Sequence, residues 1–409
     1  MDRYDYLVIG GGIAGVSAAE TIREHDADCT IAVLSGEPHV LYSRVLLPSY
    51  LKGGIPRERV FLRTRGDFEK KRIDLFLGEE AIAVDAQKHE VRTGKGTAIY
   101  WKKLLIAAGG KTAPWGKEEE QKYIYRLQTL DDADRIIAAL PAIHDPIVIG
   151  SSFIALEFLE VFAARGLIPK LLMRGPYFFS SMLDEAGGAF FADHFAAHGI
   201  AVHCNDSIVR IEEEEGMLAI TTHAGAAMRT NALAVAVGIE RNRGFLKNSG
   251  VALGKKGIRV NEFLETTVTD VFAAGDIAEL YDPASDTGRA NGNWTNAVLQ
   301  GKHAGLAMVG IQKPFAAIPT YSITNFGLQF TVLGECDNAL DAVTRQNPAR
   351  RKYERFFIRD NAMVGAIMIN WFQDRAHLTS LIAQKINVSK WRTSLHDPAF
   401  DIRAIPLIP

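Results

Sequence analysis

The chain has 409 residues, a length that predicts two or three domains rather than a single hydrophobic core. Its 46 lysines and arginines nearly balance 48 aspartates and glutamates, and a formal charge of -2 gives no reason to expect nucleic acid or an anionic membrane as a partner. With 47% hydrophobic and 23% charged residues the composition excludes a disordered chain, and no apolar run reaches the length of a membrane span.

The three cysteines, Cys29, Cys204 and Cys336, are far apart in the sequence. This spacing excludes a disulfide framework, a zinc ribbon and a CxxxxC redox dithiol, and we expect no metal site. The first residues enter a predicted strand directly and leave no room for a signal peptide. We therefore expect a soluble, cytoplasmic protein.

The strongest internal pattern is a repeat of strand, glycine turn and small-residue helix, at 4–16 and again at 146–157. The first glycines of the two copies, Gly10 and Gly150, are 140 positions apart, about the length of one nucleotide-binding domain. Three further apolar strands that end in small residues lie at 104–110, 232–239 and 270–276. Strands that alternate with helices in this way predict parallel sheets.

Other segments have a different pattern. Residues 84–101 and 212–230 predict short polar hairpins, whereas the chain after about residue 313 predicts an antiparallel sheet followed by an amphipathic helix near 376–386. The predicted fold is thus α/β, with two Rossmann-like dinucleotide-binding domains and a C-terminal α+β domain.

The first glycine turn has the GxGxxG spacing directly after a strand. Gly10 makes the tight turn, Gly12 lets the chain approach a pyrophosphate, and Gly15 packs the helix on the strand. Ile13 and Ala14 open the helix whose N-terminal amides and dipole favour phosphate. The motif therefore predicts a bound dinucleotide.

A dinucleotide of this type needs an acid near the end of the second strand to bind its ribose. Glu37 is the first carboxylate after the predicted strand at 29–34 and is our candidate. The alternative for Glu37 is a solvated loop glutamate.

Taken in order, these motifs resemble the FAD-dependent pyridine-nucleotide oxidoreductases, the glutathione-reductase-like proteins with two dinucleotide folds. The NADH:rubredoxin reductases and the flavoprotein part of NAD(P)H nitrite reductases are closest in appearance. The segments that carry the resemblance beyond the first turn are 41–53, 104–110, 269–276 and 293–305. It implies FAD as cofactor, with further contacts from Arg44, Ala108, Gly109, Gly275, Asp276, Asn296 and Ala297.

Within that resemblance, Asp276 holds the ribityl chain, and Asn296 with Ala297 starts a helix that faces the flavin ring. Arg44 pairs with an FAD phosphate or lines the flavin edge, with a plain surface arginine as the alternative. The implied boundaries are an FAD-binding domain at 1–112 and 245–313, an NAD(P)-binding domain at 113–244, and an α+β domain at 314–409.

The second glycine turn departs from the family pattern. Gly150 and Ala155 match, but Ser152 replaces the glycine that permits the closest approach to the nucleotide. Met173 stands where an acid would select NADH, and Arg174, which follows it, favours NADPH as the electron donor, the alternative being an arginine that binds no ligand. Glu157 matches the family glutamate near the nicotinamide and is the predicted catalytic residue, the alternative being an exposed helix glutamate.

The resemblance implies hydride transfer from NAD(P)H to the flavin and then electron transfer to a redox protein such as rubredoxin, ferredoxin or another iron–sulfur protein. No cysteine occurs at 41–50, so we expect no redox-active disulfide. Two alternatives remain, namely an NAD(P)H oxidase and an FAD-bound electron-transfer subunit whose nicotinamide site has decayed. Six basic residues and one acidic residue in 345–359 offer a docking surface for an acidic partner or, equally, a protected strand edge. We expect a monomer or a homodimer.

Overall fold

The computed structural model describes residues 2–116, 122–282 and 287–408, and the chain divides into two compact units. Unit 1 comprises Met1–Leu46, Ile55–Lys111 and Ile239–Ala317. Unit 2 comprises Leu47–Gly54, Thr112–Gly238 and Ile318–Pro409.

Strands and helices are numbered along the chain. The first strands are β1 (Asp2–Ile9), β2 (Ile31–Ser35), β3 (Ile73–Leu77), β4 (Ala81–Asp85), β5 (Glu90–Thr93), β6 (Ala98–Ile106), β7 (Gly110–Thr112) and β8 (Ile124–Tyr125). They are followed by β9 (Pro146–Ile149), β10 (Lys170–Leu172), β11 (Ala201–His203), β12 (Ile208–Glu214), β13 (Met217–Thr222), β14 (Ala227–Thr230), β15 (Ala232–Val235) and β16 (Ile239–Arg241). The last are β17 (Ile258–Val260), β18 (Val271–Ala273), β19 (Ala278–Asp282), β20 (Thr287–Arg289), β21 (Thr320–Asn325), β22 (Leu328–Gly334), β23 (Asp341–Asn347), β24 (Lys352–Arg359) and β25 (Ala362–Ile369). The helices are α1 (Ile13–His25), α2 (Leu47–Leu51), α3 (Arg65–Lys70), α4 (Leu130–Ala139), α5 (Phe153–Ala164), α6 (Glu185–Ala197), α7 (Trp294–Met308) and α8 (Arg375–Ala383).

Unit 1 is built on a sheet in the order β3-β2-β1-β6-β5-β4, with β18 added beside β6. β1 runs parallel to β2 and β6, and β18 runs parallel to β6. β1 ends in a buried apolar run, Leu7, Val8 and Ile9, because both faces of the parallel part of the sheet are covered. The carboxyl ends of β1, β2 and β18 therefore share one sheet edge, which is where a doubly wound fold binds its ligand.

Unit 2 contains a parallel sheet in the order β11-β10-β9-β15-β8, a small antiparallel sheet β12-β13-β14, and an antiparallel sheet β21-β22-β25-β24-β23. Leu378, Leu381 and Ile382 of α8 pack into the same apolar core as Phe356 and Met368 of the antiparallel sheet. The predicted α/β fold with two Rossmann-like sheets and a C-terminal α+β part is confirmed. The exact domain boundaries stay a prediction.

The short segment Leu47–Gly54 belongs to unit 2, although unit 1 residues flank it on both sides. Tyr50 donates its hydroxyl hydrogen to Asp134 Oδ1 at 2.8 Å, and Arg165 Nη2 donates to the Leu51 carbonyl oxygen at 2.8 Å. Side chains distant in the sequence therefore hold α2 and the turn that follows it. No helix in the described parts of the chain has the length and apolar character to cross a bilayer.

Candidate functional site

In the first glycine turn, Gly10 and Gly15 have no room for a side chain, whereas Gly12 does. Gly10 has φ +119°, and a Cβ on it would lie 2.2 Å from a backbone carbonyl oxygen just after β6. A Cβ on Gly15 would lie 2.0 Å from the Gly10 carbonyl oxygen, whereas one on Gly12 would have no atom within 4 Å. Gly12 also caps α1 without any side-chain hydrogen bond. The amide end of α1, beginning with Ile13 and Ala14, therefore borders open space of the kind that a pyrophosphate needs.

Glu37 and Arg44 come together at the end of β2. Arg44 Nη2 donates to Glu37 Oε1 at 2.5 Å, and the Tyr42 hydroxyl donates to Glu37 Oε2 at 2.5 Å. The side chains of Arg44 and Glu37 are 36% and 29% exposed, so both remain accessible to a ligand. These two contacts fix the direction of the carboxylate. The ribose role of Glu37 stays a prediction.

Asp276 lies in the turn after β18, directly after Gly275, which has φ +80°. Arg241 Nε donates to the backbone carbonyl oxygen of Asp276 at 3.1 Å. Burial raises the pKa of the Asp276 carboxyl, while the positive charges of Arg241 and Arg44 act in the opposite direction. A half-buried carboxylate with cations nearby is suited to accept hydroxyl hydrogen bonds from a sugar-like chain.

The helix predicted to begin at Asn296 and Ala297 begins two residues earlier, at Trp294. The reason is the cap: the Asn293 side chain accepts a hydrogen bond from the Asn296 amide at 2.8 Å, which sets the first turn. Asn296 and Ala297 are buried in that turn. The side-chain oxygen of Asn296 is buried and has no hydrogen-bond partner in the described residues. Because buried acceptors are normally hydrogen-bonded, the Asn296 side-chain oxygen fits a ligand that carries a hydrogen-bond donor.

The first helix, the Gly275 turn and α7 are in direct contact. A Cβ on Gly301 of α7 would lie 2.1 Å from the Ala14 carbonyl oxygen, and Gln300 Oε1 accepts from the Gly275 amide at 2.8 Å. The two segments predicted to bind FAD, which are about 260 residues apart in the sequence, thus lie together in unit 1. The open phosphate turn, the half-buried Asp276 carboxylate and the orphan amide oxygen together fit FAD.

Ala108 and Gly109 follow β6 at the same sheet edge. Asn242 holds both residues, since its side-chain amide donates to the Ala108 carbonyl oxygen at 2.9 Å and its backbone amide donates to the Gly109 carbonyl oxygen at 3.1 Å. Gly109 has φ +58° and open space at its Cβ position. The two hydrogen bonds from Asn242 fix the positions of Ala108 and Gly109. Their contact with FAD stays a prediction.

In the second glycine turn, the Ser152 side chain forms hydrogen bonds with the protein backbone. A Cβ on Gly150 would lie 2.2 Å from the Ala236 carbonyl oxygen, so this position needs glycine. Ser152 donates its hydroxyl hydrogen to that same carbonyl oxygen at 3.1 Å and accepts from the Ala155 amide at 3.5 Å as the cap of α5. Ser152 corresponds to Gly12 of the first turn. Where Gly12 leaves open space, the Ser152 side chain caps α5.

Arg174 is exposed just beyond β10, and the described residues offer it no hydrogen-bond or ion-pair partner. The preceding residue, Met173, is buried. The guanidinium group is therefore free to meet an anionic group of a nucleotide. Whether Arg174 binds one stays a prediction.

The helix α5 places two glutamates one turn apart, and only one of them is paired. Glu160 Oε2 accepts from Lys52 Nζ at 2.6 Å and from Asn325 Nδ2 at 2.8 Å, and Glu160 Oε1 accepts from the Phe326 amide at 2.8 Å. Glu157 is half-buried and has no hydrogen-bond or ion-pair partner in the described parts of the chain. The two carboxyl groups therefore have very different environments.

The surroundings of Glu157 are mostly apolar and aromatic. Phe153, one turn before it, has its ring 4.5 Å from that of Tyr321 on β21. Burial raises the pKa of Glu157 to about 8; the charge of Lys52 lowers this pKa and that of Glu160 raises it. Perturbed carboxyl groups of this kind concentrate at functional sites, which supports the predicted catalytic role without testing it.

Sequence reasoning missed Lys52, Glu160 and Tyr321 as members of this group. The available signal was the presence of Glu160 three residues after Glu157 on an apolar helix, which places both on one face. Nothing local indicated Lys52, because it is 108 residues away from its partner.

The basic segment 345–359 is not the six-charge docking surface considered above. Arg345 is buried against Glu354 and Asp374 at 2.5 and 2.7 Å. Arg355 pairs with Asp184 at 3.0 Å, and Arg359 pairs with Glu335 at 2.8 Å. Three of the six basic side chains are therefore paired within the chain, and Arg345, the one that lies on the edge strand β23, is buried.

The cysteines are free, with Cys29 buried, Cys204 exposed and Cys336 half-buried. Burial raises the pKa of Cys29 to about 11, which makes its thiolate a minor species at neutral pH. The described residues contain no group of side chains arranged to hold a metal ion.

Comparisons with known proteins agree with this site. Residues 4–301 match the family described as pyridine nucleotide-disulphide oxidoreductase, and residues 324–406 match the reductase C-terminal family. The chain is 28% identical to the ferredoxin reductase subunit of 5,5'-dehydrodivanillate O-demethylase from Sphingobium sp., over 96% of both chains. It is 26% identical to NADH-rubredoxin oxidoreductase from Clostridium acetobutylicum, over 89% of this chain and 90% of that protein.

Solved structures share the fold. The ferredoxin reductase for the CYP199A2 system from Rhodopseudomonas palustris superposes with a TM-score of 0.89 at 23% identity, over 98% of this chain and 100% of that one. Putidaredoxin reductase in its covalent complex with putidaredoxin gives a TM-score of 0.90 at 19% identity, over 99% of this chain and 98% of that one. With its family match over most of the chain, this protein belongs to the pyridine nucleotide-disulphide oxidoreductase family and is an oxidoreductase that uses FAD and NAD(P)H.

Proposed function

We propose that this protein takes electrons from NAD(P)H through FAD and delivers them to a small redox protein, namely a ferredoxin, a rubredoxin or another iron–sulfur protein. The observation that carries the proposal is the single site in unit 1 where the open Gly12 turn, Asp276 and the start of α7 meet. The names of the relatives, which include ferredoxin and rubredoxin reductases, support the class of acceptor.

The chemistry supplied by bound FAD is hydride acceptance from NAD(P)H followed by one-electron transfer. The residues of the protein bind FAD and orient it. The amides after Gly12 would hold the pyrophosphate, and Glu37 would bind the adenosine ribose. Arg44 would pair with an FAD phosphate or line the flavin edge, and Asp276 would accept hydrogen bonds from the ribityl hydroxyls. The positive end of α7, at Asn296 and Ala297, favours negative charge on the flavin ring.

In the second half, Gly150, Ser152 and Ala155 form the turn that receives the nicotinamide dinucleotide, and Glu157 acts beside its nicotinamide. Arg174 binds the 2′-phosphate that distinguishes NADPH from NADH. No cysteine takes part in the proposed reaction. A cytoplasmic location and a monomeric or homodimeric state complete the proposal.

The decisive experiment is anaerobic stopped-flow mixing of the FAD-loaded protein with NADH or NADPH. We expect loss of the flavin absorbance at 1:1 nucleotide, followed by rapid recovery when an oxidised ferredoxin or rubredoxin is added. Failure of both nucleotides to reduce the flavin would favour the electron-transfer subunit with a decayed nicotinamide site. Recovery as fast with oxygen as with any iron–sulfur protein would favour the oxidase.

Replacing Arg174 with alanine tests the nucleotide preference. A charge-assisted hydrogen bond is worth about 1.5–3 kcal/mol, so we expect the KM for NADPH to rise about tenfold or more. The KM for NADH should change little, because NADH has no 2′-phosphate, and this makes NADH the internal control. An equal change for both nucleotides would show that Arg174 does not read the phosphate.

Replacing all three cysteines with alanine tests the absence of thiol chemistry. We expect the C29A/C204A/C336A protein to be reduced by NAD(P)H and reoxidised by the acceptor at wild-type rates. The cost should be confined to stability, mainly at buried Cys29. A variant that still binds FAD but no longer passes electrons to the acceptor would contradict the proposal.

A further inference from the structure

Two neighbouring glutamates on α5, Glu157 and Glu160, differ in their hydrogen-bond partners. Lys52 is a cation whose charge acts on Glu157, but its ammonium group lies 2.6 Å from Glu160 Oε2. Asn325 and the Phe326 amide add two more donors, so the Glu160 carboxyl group accepts three hydrogen bonds. Glu160 thus satisfies the requirement of a partly buried charge, which is a paired and hydrogen-bonded environment.

Glu157 has none of these partners. Its helix neighbours Leu156 and Phe158 are buried apolar residues, and Tyr321 stands on the strand packed against α5. The charged and titratable groups that act on Glu157 are Lys52 from the turn after α2, Glu160 from its own helix, and Tyr321 from β21. Of these, Lys52 is the only cation, and its hydrogen bond goes to Glu160.

We propose that Glu160 is a positioning residue that holds the Lys52 ammonium group away from Glu157 and thereby keeps Glu157 an uncharged carboxylic acid in the working enzyme at neutral pH. The inference rests on the proposed function in that Glu157 acts beside the nicotinamide. The raised pKa of Glu157 is consistent with it. An uncharged acid does not attract the positive nicotinamide ring of the oxidised nucleotide, so the product is released readily.

The protonation state can be measured without any activity assay. A carboxyl group whose pKa is higher in the folded than in the unfolded protein costs stability as the pH rises through the interval between the two values. Replacing Glu157 with glutamine removes this cost. The melting temperature of E157Q should therefore equal that of the wild type near pH 4 and exceed it by a growing margin up to about pH 8, the pKa of Glu157.

Glu213 provides a matched control, because it is exposed on β12 and has no partner in the described residues. The E213Q protein should follow the wild-type melting temperature at every pH. If E157Q also follows the wild type across pH 4–9, then Glu157 ionises as an ordinary glutamate and the inference is wrong.

The role of Glu160 is tested by E160Q. Losing the negative charge releases Lys52, and an opposite charge within about 4–6 Å lowers a carboxyl pKa by about 1–3 units. We expect the midpoint of the Glu157 titration to fall by that amount, as followed by the infrared band of its protonated carboxyl group, which the E157Q protein lacks. In K52M this midpoint should stay the same or rise. Because the charge of Glu160 itself raises the Glu157 pKa, the double variant K52M/E160Q isolates the effect of the released cation, and its midpoint should fall less than that of E160Q. An equal fall in the two proteins, a fall in K52M, or no change in E160Q would contradict the positioning role.

A nucleotide titration connects the protonation state to the site. The wild type should bind oxidised nucleotide several-fold more tightly above pH 8 than at pH 7, whereas E157Q should show no such change. If the stability and infrared results hold but this difference is absent, Glu157 is a neutral acid located away from the nicotinamide. That outcome would refute the proposed role of Glu157 while leaving its protonation state as inferred.

Discussion

Replacing Gly12 with alanine should give a folded protein that has lost most of its FAD. The backbone at Gly12 has φ -75° and ψ -179°, which alanine adopts without strain, and its Cβ would meet no protein atom within 4 Å. The added methyl group instead enters the space where the pyrophosphate would approach the first turn of α1. Steric overpacking costs about 1–3 kcal/mol, so we expect FAD affinity to fall about 5- to 150-fold.

Gly244 is the matched control for this experiment. It lies in unit 1, has no positive φ and has open space at its Cβ position, so G244A makes the same chemical change away from the proposed site. FAD binding is measured by the quenching of flavin fluorescence on titration of the apoprotein, and folding by circular dichroism. Equal FAD affinity in G12A and the wild type would remove the dinucleotide assignment of the first turn.

The backbone of this site was predictable because sequence and sterics leave little choice there. Gly10, Gly15 and Gly150 meet carbonyl oxygens that exclude any side chain, and a run of apolar residues precedes each glycine turn. Such constraints are local, so a short sequence window contains them. The parallel sheets and the C-terminal antiparallel sheet followed from the same kind of pattern.

The partners of charged side chains were less predictable, since they depend on residues far away in the chain. Arg345 resembles a surface charge among other basic residues, but its two carboxylate partners are contributed by β24 and by the segment before α8. Lys52 and Glu160 form a pair across 108 residues. The inward hydrogen bond of Ser152 is likewise invisible without the position of Ala236. Composition gives the number of charges, whereas the tertiary fold decides which of them solvent can reach.

Arg345 is the side chain whose loss should destabilise the protein most. Its guanidinium group is fully buried, donates to Glu354 and Asp374, and lies 4.4 Å from the centre of the Trp371 ring. Replacing Arg345 with methionine keeps the apolar bulk but leaves two carboxyl groups without their shared cation. Removing one partner of a buried ion pair costs about 3–5 kcal/mol, which we expect as the loss of unfolding free energy in urea titrations.

The pH dependence of this loss distinguishes the charge from simple packing. Burial raises the pKa of both Glu354 and Asp374, and without Arg345 nothing of comparable strength lowers them again. The pKa of Glu354 is raised to about 8 even beside Arg345 and should lie still higher without it, so the deficit of R345M should shrink as the pH falls through about 8. The exposed arginine Arg403, whose side chain is 73% exposed in its pair with Asp401, serves as the control. R403M should lose no more than about 1 kcal/mol at any pH, since exposed ion pairs contribute little. A loss in R345M that is equally small, or one that does not change with pH, would mean that the buried charges do not hold this part of the fold together.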